Sequence, residues 1–281
     1  MRTQVLYARE ARWREVAERA EELIGSSGFT PVKSEGRTIA GMLRLADGSA
    51  VFIKRSAPTS WLRRALMPIA GSPAARALRG AALLDAAGIP HPSPLAAAET
   101  VGRGAVHASY LLSEALLDGD TLSRFALGPG EIKGRDARRR RRILDNVARQ
   151  VRRIHDAHLY TRDLQETNVM VADDEGHGFR VWFLDLEDFR RQRRVGWPQR
   201  ARNLIHLDRS IGRFLCRAAR LAFLYAYLGG KPERADARRI VNELLLLRAR
   251  MERRHSRRAA IRLATMHPTR TEASGVDSVR G

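Results

Sequence analysis

Only one cysteine, Cys216, occurs in the 281 residues, which excludes an internal disulfide and fits a reducing compartment. The apolar pattern around it places the thiol on the buried side of a helix, inert rather than nucleophilic. No apolar run approaches the roughly 18 residues of a membrane-spanning helix. The best stretch, Phe214 to Leu228, is interrupted by Arg217 and Arg220. Aromatic residues make up 6% of the chain, too few to interleave with the basic residues as stacking platforms, so nucleic acid is not favoured as a partner. The histidines follow no zinc spacing, and one cysteine cannot complete such a site. Neither a G-x-S-x-G elbow nor a Cys–His pairing is present. His155, at the inner end of a helical pattern, reads as a buried structural histidine.

Acidic residues are also in short supply. Asp and Glu number 31 against 51 Lys and Arg, a formal charge of +20. Such a field favours anionic partners such as phosphorylated lipid or an anionic membrane leaflet. Arginines bunch at Arg138–Arg142, Arg190–Arg194 and Arg253–Arg258, yet they are also scattered along the whole chain. A compositional bias toward Arg explains that spread equally well.

What is present falls into two parts. The first 24 residues carry a charge every few positions and predict an amphipathic helix, with residues 1–28 as an N-terminal segment. Short apolar runs punctuated by Gly36, Gly41 and Asp47-Gly48 then predict antiparallel strands at 29–35, 39–46 and 49–55. A helix is expected at 73–87, closed by Gly88 and Pro90, with further strands at 94–100 and 107–113. From residue 116 the pattern is mainly helical. Ile143, Leu144, Val147, Val151, Ile154 and His158 recur at helical spacing. Val169–Val171 and Val181–Leu184 predict a hairpin around Asp173-Asp174-Glu175-Gly176. Long helices are expected at 200–228 and 235–263, then a polar, disordered tail at 266–281.

Between the long helix and the hairpin stands "YTRDLQETNVMV". Phosphoryl transfer from ATP needs few protein groups, but it needs them in a set order: a Lys on a strand, R-D-x-x-x-x-N, then Asp after an apolar strand. Val51-Phe52-Ile53-Lys54 supplies the first, Arg162-Asp163-Leu164-Gln165-Glu166-Thr167-Asn168 the second, and Val181-Trp182-Phe183-Leu184-Asp185 the third. Each alone is weak. Their order and context carry the reading.

The run from 36 to 230 also resembles the lipopolysaccharide kinase family, bacterial enzymes that phosphorylate Kdo or heptose of the inner core. The likeness lies in "DGSAVFIKR", "LLDAAGIPHPSPLA", "YLLSEAL", "IHDAHLYTRDLQETNVMV", "VWFLDLEDFR" and "NLIHLDRSIGRFLCRAARLAFLYAYLG". It implies a two-lobed, protein-kinase-like α+β fold with an antiparallel-sheet N-lobe at 29–115 and a mainly helical C-lobe at 116–265. It implies ATP and Mg2+ as cofactors and a sugar or glycolipid acceptor. Asp163 would be the catalytic base, Lys54 the phosphate ligand, and Asn168 and Asp185 the magnesium ligands. Tyr110–Glu114 would form the adenine hinge, placing Glu114 beside the nucleotide together with Gly41 of the phosphate-covering loop. Glu187 and Asp188 add carboxylates that could ligate metal or pair with Arg. Arg190–Arg194 fall near the acceptor site, as anion readers or as a solvated basic loop. The single cysteine and the charge lead to the expectation of a cytoplasmic protein, with peripheral contact with anionic lipid on the inner face of the membrane as an option.

Three departures stand out. Gly36 and Gly41 do not make the three-glycine signature, Gly80 stands where a helix Glu usually pairs with the strand Lys, and Thr161 precedes the Arg-Asp pair. An aminoglycoside-like small-molecule kinase and a catalytically weak pseudokinase on an anionic surface are the alternative readings.

Overall fold

The computed structural model describes residues 1–58, 60, 67, 70–122, 124, 135–174 and 178–266. Part of the expected linker before residue 73, the acidic turn at 175–176 and the tail from 267 lie outside the described residues. Two compact units are present, Met1–Pro232 and Glu233–Gly281. Among the described residues the second contains one helix of 33 residues, Arg234–Met266.

In the first unit six antiparallel strands form one sheet. They are β1 (Arg2–Ala8), β2 (Phe29–Glu35), β3 (Thr38–Arg44), β4 (Ala50–Ser56), β5 (Pro94–Gly102) and β6 (Ala105–Glu114), in the spatial order β1-β5-β6-β4-β3-β2. Five were expected. The sixth, β1, corrects the reading of the N-terminus as helix throughout: it pairs along β5 from Arg2↔Val101 to Ala8↔Ala96. The helical pattern starts only afterwards, as α1 (Ala11–Glu18) and α2 (Ala20–Ile24).

Alternation along β4 decides what each face of the sheet does. Val51 and Ile53 are fully buried in a cluster with Trp13, Ala17 and Ala20 from α1 and α2. Burying side chains of this size stabilises by about 1.5–3 kcal/mol each. Period 2 therefore sends Lys54 and Ser56 to the opposite face, where α3 (Pro73–Ala86) lies with Ala74 and Ala77 toward them. Ser72 caps α3 by accepting from the Ala75 N–H at 3.2 Å, and Pro73 occupies the first turn. The expected stop is present: Gly88 has φ +61° and the Ile89 N–H returns to the Leu84 carbonyl at 2.9 Å.

The helical part is built on α4 (Arg135–Asp156), whose Ile143, Leu144, Val147, Val151 and Ile154 are all buried. His158, at the end of the same pattern, lies beyond the helix and is exposed. A short strand β7 (Asp120–Thr121) borders the hairpin β9 (Val169–Asp174) and β10 (Gly178–Phe183), while β8 (Leu159–Tyr160) pairs with β11 (Arg190–Arg191). Arg139, from the basic run at the start of α4, meets Asp173 of the hairpin at 2.6 Å. The single helix expected at 200–228 is two, α5 (Trp197–Ile211) and α6 (Arg217–Leu228). They are broken at Gly212–Phe214, and the corner is clamped by Arg220 on both oxygens of Asp208 at 2.6 Å. That break leaves Cys216 exposed just before α6 rather than buried within a helix. The helix of the second unit is α7 (Arg234–Met266). Among the described residues no helix is long and apolar enough to cross a membrane.

The two parts of the first unit meet closely at Gly80 of α3. A Cβ built there would lie 1.9 Å from the Leu186 carbonyl oxygen, far inside van der Waals contact. Gly80→Ala is therefore expected to destabilise the protein by about 1–3 kcal/mol, read as a lower midpoint in urea unfolding. An unchanged midpoint would show that the turn at Leu186 is free to move.

Candidate active site

The turn from β10 to the 3-10 segment Leu186–Asp188 brings three charged elements together. The Lys54 ammonium donates to Asp185 Oδ1 at 3.1 Å and to Glu187 Oε1 at 2.6 Å. Arg76 of α3, one turn before Gly80, reaches Glu187 Oε2 at 2.9 Å and also donates to the Gly71 carbonyl at 3.0 Å. Burial opposes the charge on Lys54, but the two carboxylates outweigh it and raise its pKa above the usual value. Burial also pushes the Asp185 carboxyl up, with Lys54 opposing and the negative charges of Glu187 and Asp188 adding to the rise. Lys54 and Arg76 together supply positive charge to this half-buried group of carboxylates.

Asp163 and Asn168 are joined within their own loop. The Asn168 amide donates to the Asp163 carbonyl at 3.1 Å and to Asp163 Oδ2 at 3.3 Å. The Gln165 amide donates to Asp163 Oδ1. Two amides thus fix both carboxylate oxygens. The loop is tied to the Lys54 cluster through the backbone, since the Leu184 N–H donates to the Asn168 carbonyl at 2.9 Å and Leu184 immediately precedes Asp185. Lys54, Asp163, Asn168 and Asp185 therefore belong to one connected arrangement.

Beneath the loop lies a buried polar chain. Asn203 of α5 donates to the Thr161 carbonyl at 2.9 Å, and His155 Nε2 meets Asn203 Oδ1 at 2.9 Å. Because that oxygen only accepts, Nε2 carries the proton, and Nδ1 accepts from the Tyr227 hydroxyl at 2.8 Å. His155 is fully buried, as expected of a structural histidine, and Thr161 supplies a carbonyl that Asn203 holds.

Two expected nucleotide contacts have structural duties of their own. Gly41 sits mid-strand in β3, where a Cβ would fall 2.3 Å from the Thr30 carbonyl and 2.6 Å from the Phe29 ring. Glu114 ends β6, with its N–H on the Ser93 carbonyl at 3.0 Å and its carboxylate on Arg9 at 3.0 Å. Gly36 lies in the short turn between β2 and β3 with φ +57°.

Sequence reasoning did not single out Arg76, Gln165 or Asn203. Arg76 lies in a helix whose neighbours are Ala and Gly, and its partner is 111 residues away. Gln165 was visible only as one of the four variable residues between Asp163 and Asn168.

Residues 37–227 match the Lipopolysaccharide kinase (Kdo/WaaP) family. The chain belongs to that family. No curated protein matches the chain. A solved structure described as WaaP in complex with acyl carrier protein aligns with a TM-score of 0.62 and 22% identity, covering 92% of this chain and 99% of that one. It shows that the fold is protein-kinase-like, and membership in this kinase family makes the chain a phosphotransferase.

Family membership implies a divalent cation. Among the described residues no group of three or more His, Cys, Asp or Glu is arranged to hold one. Asn168 and Asp185 still fit the role, because Mg2+ takes hard oxygen donors and is commonly bound by one or two protein groups plus substrate phosphates. With the Asn168 nitrogen committed to Asp163, its amide oxygen is the donor that remains.

His155 generates a pH prediction. Burial lowers its pKa from 6.5 to about 4, with the Asn203 hydrogen bond opposing and Arg200 adding to the fall. Between those values the unfolded chain binds the extra proton. The stabilisation is therefore complete above pH 6.5 and is lost as pH falls through about 4. The expected loss is about 3 kcal/mol. His155→Gln should flatten that part of the stability profile measured by urea unfolding at several pH values, while lowering stability at neutral pH. An unaltered slope would assign the acid sensitivity elsewhere.

Proposed function

We propose that this protein transfers the γ-phosphate of ATP to a sugar hydroxyl of the lipopolysaccharide inner core, on Kdo or heptose. The observation that carries the reading is the Lys54–Asp185 contact at 3.1 Å across 131 residues, in the arrangement that also holds Asp163 and Asn168. Family membership supports the acceptor class.

In this reading Asp163 faces the acceptor hydroxyl and takes its proton as the new bond to phosphorus forms. The amides of Gln165 and Asn168 hold that carboxylate in one orientation, which removes the reorganisation a free side chain would require. Lys54 holds the α- and β-phosphates. Asn168 and Asp185 would hold Mg2+, which would supply positive charge against the phosphates. Tyr110–Glu114 runs along the adenine, with Glu114 at its end. Gly41 belongs to the strand pair that would cover the phosphates, where the Thr30 carbonyl and the Phe29 ring leave no room for a Cβ.

The acceptor side is basic. Arg190, Arg191, Arg193 and Arg194 follow the Asp185 turn, are exposed, and have no carboxylate partner among the described residues. Guanidinium forks of this kind suit phosphates and sugar carboxylates. The +20 charge supports peripheral contact with anionic lipid on the cytoplasmic face, where a glycolipid acceptor would be presented. Since WaaP was solved in complex with acyl carrier protein, a carrier-protein partner belongs to the same proposal.

The test is phosphate transfer from Mg·ATP to core oligosaccharide and, in parallel, to a panel of aminoglycosides and other small alcohols. Asp163→Ala and Asp185→Ala should each lower turnover by about 10²–10⁴-fold with unfolding midpoints retained. Transfer only to the small-molecule panel would replace the acceptor. Full activity in Asp163→Ala would remove the role of the base.

A further inference from the structure

A kinase of this fold needs its strand Lys aimed, and α3 offers nothing to aim it with. The buried positions of that helix are Ala74, Ala77, Gly80, Ala81 and Leu84. Its one carboxylate, Asp85, is 73% exposed and lies 3.7 Å from His91 rather than near Lys54. Nor could position 80 take a longer side chain, because the Leu186 carbonyl fills the space.

The same close approach carries Glu187 into the gap. Its side chain is 18% exposed and both its oxygens are engaged, one by Lys54 of β4 and the other by Arg76 of α3. Arg76 is itself held on the Gly71 carbonyl. We propose that Glu187 is the positioning residue for Lys54, acting from the turn after β10 in place of a helix-borne carboxylate, with Arg76 as its anchor. The inference rests on the phosphotransfer reading above and adds how that site is held.

The two carboxylates on Lys54 then have separate duties. Asp185 makes the longer of the two contacts to the ammonium, 3.1 Å against 2.6 Å, and would share its carboxylate with a divalent cation. Glu187 keeps its hold, because Arg76 fixes its other oxygen and leaves Oε1 directed at Lys54. Without Glu187 the Lys54 chain, with several rotatable bonds, loses the partner that selects one rotamer. Misplacement by about 1 Å is enough to cost on the order of 10²-fold in rate.

The experiment compares wild type, Lys54→Met, Glu187→Gln, Glu187→Ala, Arg76→Ala and the Arg76→Ala/Glu187→Ala double variant. For each, the unfolding midpoint without nucleotide, the affinity for a non-hydrolysable ATP analogue at saturating Mg2+, and the Mg2+ dependence of ATP turnover are measured. Glu187→Gln keeps the size of the side chain and retains the fold if Glu187→Ala does not. The expected result is nucleotide binding weakened about tenfold and turnover about 10²-fold in both Glu187 variants, approaching Lys54→Met. Arg76→Ala should have a smaller effect, and none beyond that of Glu187→Ala in the double variant, since the two act as one unit. Wild-type affinity in Glu187→Gln overturns the proposal. Independent, multiplying effects of the Arg76 and Glu187 substitutions overturn it as well. A raised Mg2+ requirement with unchanged analogue affinity makes Glu187 a metal ligand and also overturns it. Absence of analogue binding in wild type sinks the phosphotransfer reading itself, which is distinguishable from binding that depends on Lys54 and ignores Glu187.

Discussion

A backbone carbonyl seated where a side chain would otherwise stand sets the geometry of this site. The Leu186 oxygen occupies the space above Gly80, so α3 and the turn after β10 approach to backbone contact. At that separation Glu187 falls between a Lys on the sheet and an Arg on the helix, and one carboxylate bridges both. Missing helix Glu and unusual helix Gly are thus the same fact seen twice. A Glu at position 80 and a Glu at 187 would compete for the same volume and the same ammonium. The chain has adopted the second arrangement, and Gly80 is its steric condition.

The loop on the other side of the site is held by a different kind of force. Apolar burial under α4 fixes where the loop begins, since Val151 and Ile154 are fully in the core. Burial is not directional, however, and cannot orient a peptide carbonyl. The Tyr227–His155–Asn203–Thr161 chain does that, each donor matched to one acceptor. Leaving any member unsatisfied in so dry a place costs about 1–3 kcal/mol. Neutral His155 is the form that fits, which is why its burial and its proton affinity are linked. A Thr before the Arg-Asp pair is then no defect, because the network uses that residue's backbone oxygen.

Features with a local signature were legible in the sequence. Asp-Gly and alternating runs marked β3 and β4, helical spacing marked α4, and the linear order of Lys54, Asp163, Asn168 and Asp185 marked the candidate site. What escaped depends on partners distant in sequence. β1 is an edge strand with no fully buried side chain, and only pairing with β5 makes it a strand. The break between α5 and α6 lies in an apolar run that reads as continuous helix, yet a Cβ on Gly212 would meet Asp208 at 2.4 Å and Arg220 closes the corner. Cys216 was misplaced for the same reason. Glu187 was visible as an acid near the metal position, but the choice between ligand and ion pair needed Arg76, which no local pattern connects to it. Gly41 illustrates the converse: a glycine expected beside the nucleotide has a packing reason that periodicity cannot show.

The charge distribution completes the argument. The chain as a whole is strongly cationic, yet Asp163, Asp185, Glu187 and Asp188 gather where the phosphates would lie. These are complementary demands at two ranges. Beyond a Debye length of about 8 Å at physiological salt only the summed field survives in part, and it draws polyanions inward. Within the site the carboxylates crowd one another, and Asp185 has its proton affinity raised by burial and by the neighbouring acids Glu187 and Asp188. Lys54 offsets part of that charge and is itself retained by Glu187. A strongly cationic chain thus sets its acidic side chains Asp185 and Glu187 in a half-buried centre where Lys54 and Arg76 reach them, and long-range and short-range electrostatics there have opposite sign.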